Sequence, residues 1–308
     1  MPIIYYFCSL MKQELSILIP VYNGNCTEMV RRLHRQAEAI EGLKYEVIVA
    51  DDGSTDQASV ESNRAIQSLP HCLYIIRGEN AGRAVIRNYL AQQARYQWLL
   101  FLDCDMTIRR NDFLQRYLSN EASDVTYGGY TVGEGSPSCL RYLYEKEAEP
   151  RHTADERRKQ PYRDFHTANF MIHRTLMLAH PFDERFRHYG YEDVLLGKRL
   201  RKAGISIDHI DNPVGFDSFE DNPHFVCKTE EGLRTLHDFR HDLRGYNGLL
   251  TLVDGIHIGL VKSTIRCWHR LFGKLERRML CGNEPSLTVF KLYKLGYYLS
   301  LTKNDKDL

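Results

Sequence analysis

Four short apolar runs, separated by amphipathic stretches, dominate the first hundred residues and limit the folds open to this chain. The runs are LSILIP (15–20), YEVIVA (45–50), CLYIIR (72–77) and WLLFLD (98–103). They are nearly continuous in apolar residues, as strands buried on both faces are. Helical patterns lie between them, near 27–41, 56–67 and 83–95. This alternation predicts an α/β, Rossmann-like fold, with a mostly parallel sheet flanked by helices.

The ends of these strands carry a concentration of polar residues. In an open parallel sheet, ligands bind in the crevice beyond the carboxyl ends of the strands. The segments at the ends of the first, second and fourth runs are Pro20 to Asn23, Asp51 to Asp56 and Asp103 to Asp105. We therefore expect three separate motifs to converge on one crevice.

The composition argues against a general anion-binding surface. The 308 residues include 41 Lys and Arg against 40 Asp and Glu, a formal charge of +1, so no overall field favours nucleic acid.

The eight cysteines lack CxxC spacing, which predicts free thiols in a reducing, cytoplasmic compartment. The apolar residues 1–10 are too short to span a bilayer and lack the basic start of a signal peptide. No later run predicts a transmembrane helix.

The segment ADDGSTD (50–56) follows the second predicted strand directly. The carboxylate of Asp52 could accept hydrogen bonds from the imide N–H of a uracil or from ribose hydroxyls, because a carboxylate is acceptor-only. In the alternative interpretation the segment caps a helix, with Ser54 or Asp56 accepting from the first-turn amides. The residues alone leave both interpretations open.

The segment FLDCDM (101–106) places two acids one residue apart at the end of the fourth strand. Alternation along a strand directs Asp103 and Asp105 to the same side and Cys104 to the other. The two acids could share Mg²⁺ or Mn²⁺, since these ions take one or two carboxylates together with substrate phosphate oxygens and water. The pair therefore predicts a cation that in turn holds a diphosphate.

Five motifs in order extend this interpretation to a family. They are PVYNG, DDGSTD, NAGRAVIRN (80–88), FLDCD and HYGYEDVLLGKRLRKAG (188–204). In this order and spacing the chain resembles the inverting glycosyltransferases of family two, which have the GT-A fold and include enzymes of bacterial polysaccharide synthesis. The resemblance covers about residues 14 to 230.

The resemblance implies a set of residues that bind the donor nucleotide. Pro20 and Tyr22 would flank the base, and Asp52 would recognise its uracil or equivalent edge. Arg87 would contact the donor side of the cleft. Asp103 would contact ribose or the metal.

The resemblance also implies the metal ligands and the catalytic residues. Asp105 would be the main ligand of Mn²⁺ or Mg²⁺, assisted by Asp103. Asp193 would be the catalytic base, with Glu192 beside it to position acceptor or donor sugar. The alternative for this pair is a pair of acids favoured by a helix N-terminus.

The implied reaction moves a sugar from a nucleotide-sugar donor, with UDP preferred, to a glycan or lipid-linked acceptor with inversion. A non-catalytic nucleotide-sugar or glycan-binding module of the same fold is one alternative, although it would predict decay of the metal or base positions. A nucleotidyltransferase is another, but it should have a Gly-rich, basic loop after the first strand, and PVYNGN is neither.

A third metal ligand is not identified by sequence. Relatives often place a histidine shortly after an NP pair, but here Gly215, Phe216 and Asp217 occupy the corresponding stretch. Asp217 itself, His209 or His224 could substitute, and the choice stays open. The segment 166–169 either lines the acceptor side or opens a strand.

The predicted organisation is a GT-A domain over residues 12–230, with a nucleotide-binding half (12–106) and an acceptor-binding half (107–230). A helical C-terminal extension (231–308) follows. The charged segment 151–164 predicts a solvated surface loop with no special role. The amphipathic segment 259–280 is either an ordinary packed helix or an interfacial helix at the inner face of a membrane, which its cationic face and Trp268 favour.

Overall fold

The computed structural model describes residues 12–120 and 123–304. Within these ranges, ten strands form two sheets. They are β1 (Glu14–Val21), β2 (Lys44–Asp51), β3 (Cys72–Ile76), β4 (Trp98–Leu102), β5 (Met106–Thr107), β6 (Val125–Tyr127), β7 (Tyr130–Val132), β8 (Asn169–His173), β9 (Ile207–His209) and β10 (Val214–Phe216). The larger sheet has the order β3-β2-β1-β4-β8-β6-β9, and its pairs are parallel except for the two made by β8. The smaller sheet has the order β5-β10-β7.

Helices flank this sheet and make up the C-terminal part of the described chain. They are α1 (Thr27–Glu38), α2 (Gln57–Arg64), α3 (Arg83–Gln93), α4 (Phe113–Leu118), α5 (Leu140–Ala148), α6 (Ala154–Lys159), α7 (Arg174–Ala179), α8 (Glu192–Lys202), α9 (Asn222–Asp238), α10 (Arg240–Leu243), α11 (Gly248–Gly255), α12 (Gly259–Leu280) and α13 (Leu287–Asn304). The prediction of a mostly parallel sheet flanked by helices is confirmed. The four predicted strands correspond to β1 to β4.

The continuous apolar character of β1, β2 and β4 follows from burial on both faces. Leu18, Ile48 and Phe101 pack in one cluster with residues of α3. Their neighbours Ile17, Val47 and Leu100 pack in a second cluster with residues of α1 on the opposite face. Each fully buried Leu or Ile contributes about 1.5–3 kcal/mol, so polar alternation is disfavoured on either face.

The register of these strands brings their carboxyl ends to one level. Val21, the last residue of β1, pairs with Asp51, the last residue of β2. Strand β4 lies on the other side of β1, with Phe101 opposite Leu18. The loops that begin at Tyr22, Asp52 and Asp103 therefore leave the sheet at the same edge.

The charged segment 151–164 is not the simple surface loop that we expected. Residues 154–159 form α6, and Arg157 is buried while its neighbours Arg158 and Lys159 stay exposed. The Arg157 guanidinium donates to the carbonyls of Gly128 at 3.2 Å and Ile210 at 2.8 Å. It thereby satisfies carbonyl groups beyond the ends of β6 and β9, which composition cannot reveal.

The C-terminal helices pack on the rest of the molecule. Tyr298 and Leu299 of α13 join the cluster that contains α3. Phe290 and Tyr293 of the same helix pack in a third cluster with residues of α5 and α9. Helix α9 runs without a break through residue 230, and the proposed division into 12–230 and 231–308 stays a prediction.

The predicted free thiols are found at every cysteine that the structure describes. Cys8 and the apolar segment 1–10 lie outside the described residues. Of the described helices, none combines the length and the apolar character needed to cross a bilayer.

Candidate active site

A cleft of about 370 Å³ opens beside the carboxyl ends of the central strands. The acids that line it include two pairs, Asp103 with Asp105 and Glu192 with Asp193. The first two follow β4, and the other two begin α8. The structure therefore brings together the D-x-D and E-D motifs, which are far apart in the sequence.

Arg87 links these two motifs through hydrogen bonds below the cleft surface. Its Nη2 donates to Asp103 Oδ1 at 2.6 Å and its Nη1 donates to Glu192 Oε1 at 3.1 Å. The side chain is only 2% exposed. Arg87, which we expected on the donor side of the cleft, instead lies beneath it and holds two of its carboxylates in place.

Glu192 is the buried member of the E-D pair. Burial raises the pKa of its carboxyl, and the neighbouring charge of Asp193 acts in the same direction. The Arg87 guanidinium opposes both effects. Glu192 is therefore suited to holding Arg87 and a polar ligand group.

Asp193 has its own partner in His166. The Nδ1 of His166 lies 3.1 Å from Asp193 Oδ2, and the Val194 amide donates to Asp193 Oδ1 at 2.8 Å. Burial would raise the pKa of Asp193, but the hydrogen bond and charge of His166 outweigh it and lower that pKa. His166 itself lines the cleft and Asn169 begins β8, so segment 166–169 opens a strand, and its place on the acceptor side stays a prediction.

Asp105 is the exposed acid of the D-x-D turn. Although its carboxylate opens to the cleft, the walls desolvate it, and this desolvation together with the charge of Asp103 raises its pKa. The Cys104 side chain packs in the cluster around α1, beside Gly24. The two acids line the cleft while the cysteine packs elsewhere, as strand alternation predicts.

Arg83 is a site residue that the sequence interpretation missed. It lies one helical turn before Arg87 on α3, lines the cleft, and stacks over the ring of Tyr189 at 5.0 Å. Desolvation opposes its charge, but the carboxylates of Asp103 and Glu192 outweigh this and raise its pKa. The i, i+4 spacing of the two arginines in NAGRAVIRN was the available signal.

Asp52 is buried and binds the loop before α3. Its Oδ1 accepts from Arg77 Nη1 at 2.9 Å, and its Oδ2 accepts from the amides of Ala81 at 3.1 Å and Gly82 at 2.9 Å. Gly82 has φ +95°, and a Cβ there would meet the carbonyl oxygen of Arg187 at 3.0 Å. Asp52 thus shapes the entry to the helix that carries Arg83 and Arg87.

The helix-cap interpretation of DDGSTD applies to a different residue. Asp56 caps α2 by accepting from the Ala58 amide at 3.2 Å. Asp51 accepts from the Ser54 amide at 2.7 Å and so closes the turn. The cap interpretation is therefore confirmed at Asp56, and recognition of a base by Asp52 stays a prediction.

The turn after β1 lies beside this motif. Asn23 Oδ1 accepts from the amides of Thr55 at 2.8 Å and Asp56 at 2.9 Å, which ties the two turns together. Pro20 is half-buried in β1 and Tyr22 is 48% exposed. Neither lines the cleft that contains the D-x-D and E-D acids.

None of the three candidate third ligands lines that cleft. Both ring nitrogens of the buried His209 are engaged, Nδ1 with Arg157 at 3.2 Å and Nε2 with the Pro161 carbonyl at 2.9 Å. Burial lowers its pKa to about 4. Asp217 pairs with Arg109, and the exposed His224 pairs with Asp221 at 2.8 Å.

The donor set at the D-x-D turn suits a cation only in part. Across residues 12–120 and 123–304, no group of three or more His, Cys, Asp or Glu side chains could hold a metal ion. Asp105 and Asp103 supply carboxylate oxygens, which Mg²⁺ and Mn²⁺ accept when substrate phosphates and water complete the coordination. The residues therefore fit a cation shared with a substrate better than a permanently bound one.

Comparison with known proteins agrees with this site. A model of the family described as glycosyl transferase family 2 matches residues 16–179. The chain is 27% identical over 241 residues to chondroitin synthase of Escherichia coli, covering 66% of this chain and 34% of that protein. It is 30% identical over 119 residues to an uncharacterized glycosyltransferase of Haemophilus influenzae, covering 38% of this chain and 46% of that protein. The chain thus spans less than half the length of either relative.

Solved structures of low sequence identity share the fold, among them the following two. One is the mannosyltransferase PcManGT from Pyrobaculum calidifontis in complex with GDP-Man and Mn²⁺, with a TM-score of 0.57, 14% identity, and coverage of 99% of this chain and 95% of that one. The other is S. aureus TarS 1-349 in complex with UDP, with a TM-score of 0.51, 15% identity, and coverage of 96% and 91%. The architecture is that of GT-A glycosyltransferases. With the family model matching more than half of its residues, the chain belongs to glycosyl transferase family 2.

Proposed function

We propose that this protein transfers a hexosyl group from a nucleotide-sugar donor to a hydroxyl of a glycan or lipid-linked acceptor, with inversion. The observation that carries the proposal is the cleft shared by Asp105, Asp193 and Arg83. These residues offer a cation ligand, a base and a fixed positive charge in one place. A UDP-sugar is the donor we favour, in line with the UDP bound to TarS.

The donor end of the cleft is the D-x-D turn. Asp105 and Asp103 would hold Mn²⁺ or Mg²⁺ together with the donor diphosphate. When bound, the cation would neutralise charge on the departing diphosphate. Arg83 would bind the same phosphates directly, because its guanidinium lies near both acids and is not engaged in an ion pair with any described residue.

Asp193 would act as the base. It would accept the proton of the acceptor hydroxyl while the acceptor oxygen bonds to the anomeric carbon and the bond from that carbon to the diphosphate breaks. Its lowered pKa keeps the carboxylate ionised and ready to accept a proton. Glu192, held by Arg87, would bind a sugar hydroxyl beside it.

The nucleotide base would lie near the turns after β1 and β2. A carboxylate offers about four acceptor positions, and the three hydrogen bonds within the protein leave Asp52 one for a base imide. The exposed ring of Tyr22 would stack on the base, with Pro20 on the same side. Residues 12–106 would form the donor half and 107–230 the acceptor half, followed by the helical extension.

Helix α12 supports contact with an anionic membrane. Trp268, Leu271, Leu275 and Met279 are exposed and spaced three or four residues apart, and Leu271 is 69% exposed. Five basic residues follow one another at intervals of four, namely Lys262, Arg266, Arg270, Lys274 and Arg278. An apolar stripe beside a basic ladder is the pattern of helices that lie in a lipid interface. We propose that this face binds the inner, cytoplasmic leaflet, where a lipid-linked acceptor would be found.

Vesicle sedimentation tests this contact. The protein should sediment with vesicles of phosphatidylglycerol and phosphatidylcholine more than with phosphatidylcholine alone, because basic residues near an anionic surface contribute about 1 kcal/mol each. The double variant Leu271→Glu, Phe272→Glu should lose this binding, whereas Leu73→Glu on the edge strand β3 should keep it. Self-association through α12 without vesicle binding would refute the membrane contact.

The proposed reaction is tested first by ligand binding. In a screen of UDP- and GDP-sugars with and without Mn²⁺, the donor should raise the unfolding temperature, because a ligand that binds only the native state stabilises it by mass action. The donor so identified should then support sugar transfer to a panel of oligosaccharide and polyprenyl-phosphate acceptors. Donor binding without transfer to any acceptor would instead favour a binding module.

A further inference from the structure

The C-terminal helix α13 contributes a cation to the cleft. Lys294 lines the cleft together with Tyr144 and Phe290, and its Nζ lies 4.5 Å and 4.6 Å from the centroids of those two rings. The ammonium group is thus held between two aromatic faces. This placement fixes the position of the charge within the cleft.

Nearby acids do not neutralise Lys294. Glu147 pairs with Lys291 at 2.7 Å, and Glu145 pairs with Arg141 at 2.9 Å and accepts from Tyr130 at 2.8 Å. Lys294 makes no hydrogen bond or ion pair with any residue in the described ranges. Desolvation and the charge of Lys291 accordingly lower its pKa to about 8.

The other cleft cations differ from Lys294 in their surroundings. Lys228 pairs with Glu220 at 3.1 Å, and Arg141 pairs with Glu145. Arg83 interacts electrostatically with Asp103, Asp105 and Glu192, at the donor end of the cleft. The acids that act on Lys294 are instead those of α5, so its charge belongs to a different part of the cleft.

The aromatic surroundings indicate what this part of the cleft binds. Tyr144, Phe225 and Phe290 line it beside Lys294, and aromatic faces of this kind suit the apolar faces of sugar rings. An ammonium group without a hydrogen-bonded partner then requires an anion on the ligand to offset its desolvation. A sugar or lipid head that carries a carboxylate or a phosphate has both features.

We propose that Lys294 binds an anionic group, a carboxylate or a phosphate, on the acceptor. The inference rests on the proposed transfer function, since it assigns this part of the cleft to the acceptor. It makes the acceptor an acidic glycan or a phosphate-bearing molecule, and it makes α13 part of the acceptor site.

The test compares three acceptor probes of equal length, one ending in glucuronate, one in glycerol phosphate and one in neutral glucose. Lys294→Met keeps much of the packing but removes the charge. With donor saturating, it should raise KM about 10- to 150-fold for the carboxylate or the phosphate probe, as expected for a charged hydrogen bond. The neutral probe should be unaffected, and Lys294→Arg should restore most of the loss. The probe that is affected identifies the anion.

Two outcomes would overturn the inference. An equal loss with the neutral probe would assign Lys294 a structural role, and unchanged KM for both anionic probes would exclude acceptor contact. Calorimetry of the same probes against protein loaded with UDP separates this inference from the proposed reaction. Lys294-dependent binding of an anionic probe without any transfer would uphold the anion site and count against the transferase.

Discussion

His166 donates a hydrogen bond from Nδ1 to Asp193 Oδ2 across 3.1 Å, and both side chains line the cleft. An ionised carboxylate only accepts hydrogen bonds, so the proton lies on the His166 nitrogen. Each side chain shifts the pKa of the other. His166 lowers the pKa of Asp193, and Asp193 raises the pKa of His166. A candidate base therefore has a built-in partner that keeps it ionised.

Replacement of the candidate base should separate binding from chemistry. Asp193→Asn keeps the shape of the side chain but cannot accept the acceptor proton, so transfer should fall by about 10² to 10⁴. Affinity for the UDP-sugar should be nearly unchanged, since Asp193 does not contact the donor in the proposed arrangement. Transfer assays and calorimetry of the same preparation measure both. Near-normal transfer by this variant would rule out Asp193 as the base.

Replacement of His166 should change the pH dependence of activity. His166→Gln removes the charge that lowers the pKa of Asp193, so the acidic limb of kcat/KM should move to higher pH. His173→Gln, at a half-buried histidine that is hydrogen-bonded to Thr175 and does not line the cleft, is the matched control and should leave the profile in place. An unmoved acidic limb in His166→Gln would show that another group controls the base.

The same pair should make stability depend on pH. A raised histidine pKa stabilises the fold below the ordinary value of 6.5 and loses this contribution as the pH rises through the folded-state value. A lowered aspartate pKa stabilises the fold above 3.8 and loses this contribution as the pH falls. Urea unfolding should therefore show a larger loss of stability for His166→Gln near about pH 5.5 than near about pH 8.5. An equal loss at both values would contradict the assignment.

Removal of the buried Arg87 should be strongly destabilising. Arg87→Met leaves the carboxylates of Asp103 and Glu192 without their shared cation, and breaking a buried pair in this way costs about 3–5 kcal/mol. Arg35→Met removes an exposed pair with Glu28 and should cost less than about 1 kcal/mol. Urea unfolding of both variants makes the comparison. Similar losses of unfolding free energy in the two variants would mean that the buried ion pairs of Arg87 stabilise the fold no more than an exposed ion pair does.

Substitutions at adjacent positions of the D-x-D turn should differ in their effect on nucleotide binding. Asp105→Ala should abolish the Mn²⁺-dependent part of nucleotide affinity, and chelation with EDTA should have the same effect on the wild-type protein. Cys104→Ser should have a mild effect on nucleotide binding, because that side chain packs beside Gly24 outside the cleft. Calorimetry with UDP and Mn²⁺ decides. Metal-dependent affinity that survives in Asp105→Ala would refute its role as a ligand.

Local patterns in the sequence were sufficient for the central fold. The runs at β1, β2 and β4 are apolar at successive positions because both faces of each strand are covered, and that property is visible in any window of the chain. The start of α8 at Glu192 and its end at Lys202 follow from a short periodic pattern and a Gly stop. The convergence of loops at the carboxyl ends of strands follows from parallel topology alone.

Contacts between distant residues could be decided only by tertiary structure. Arg87 meets Glu192 across 105 positions, and His166, which precedes β8, meets Asp193 at the start of α8 across 27 positions. Lys294 reaches the cleft only because α13 packs against α9 and α5. The sequence by itself determined which residue types stand at the ends of the strands, since helix and strand periodicity are local. Packing decided which of these residues form hydrogen bonds and buried ion pairs with one another. Long-range side-chain contacts of this kind leave no local pattern in a single sequence.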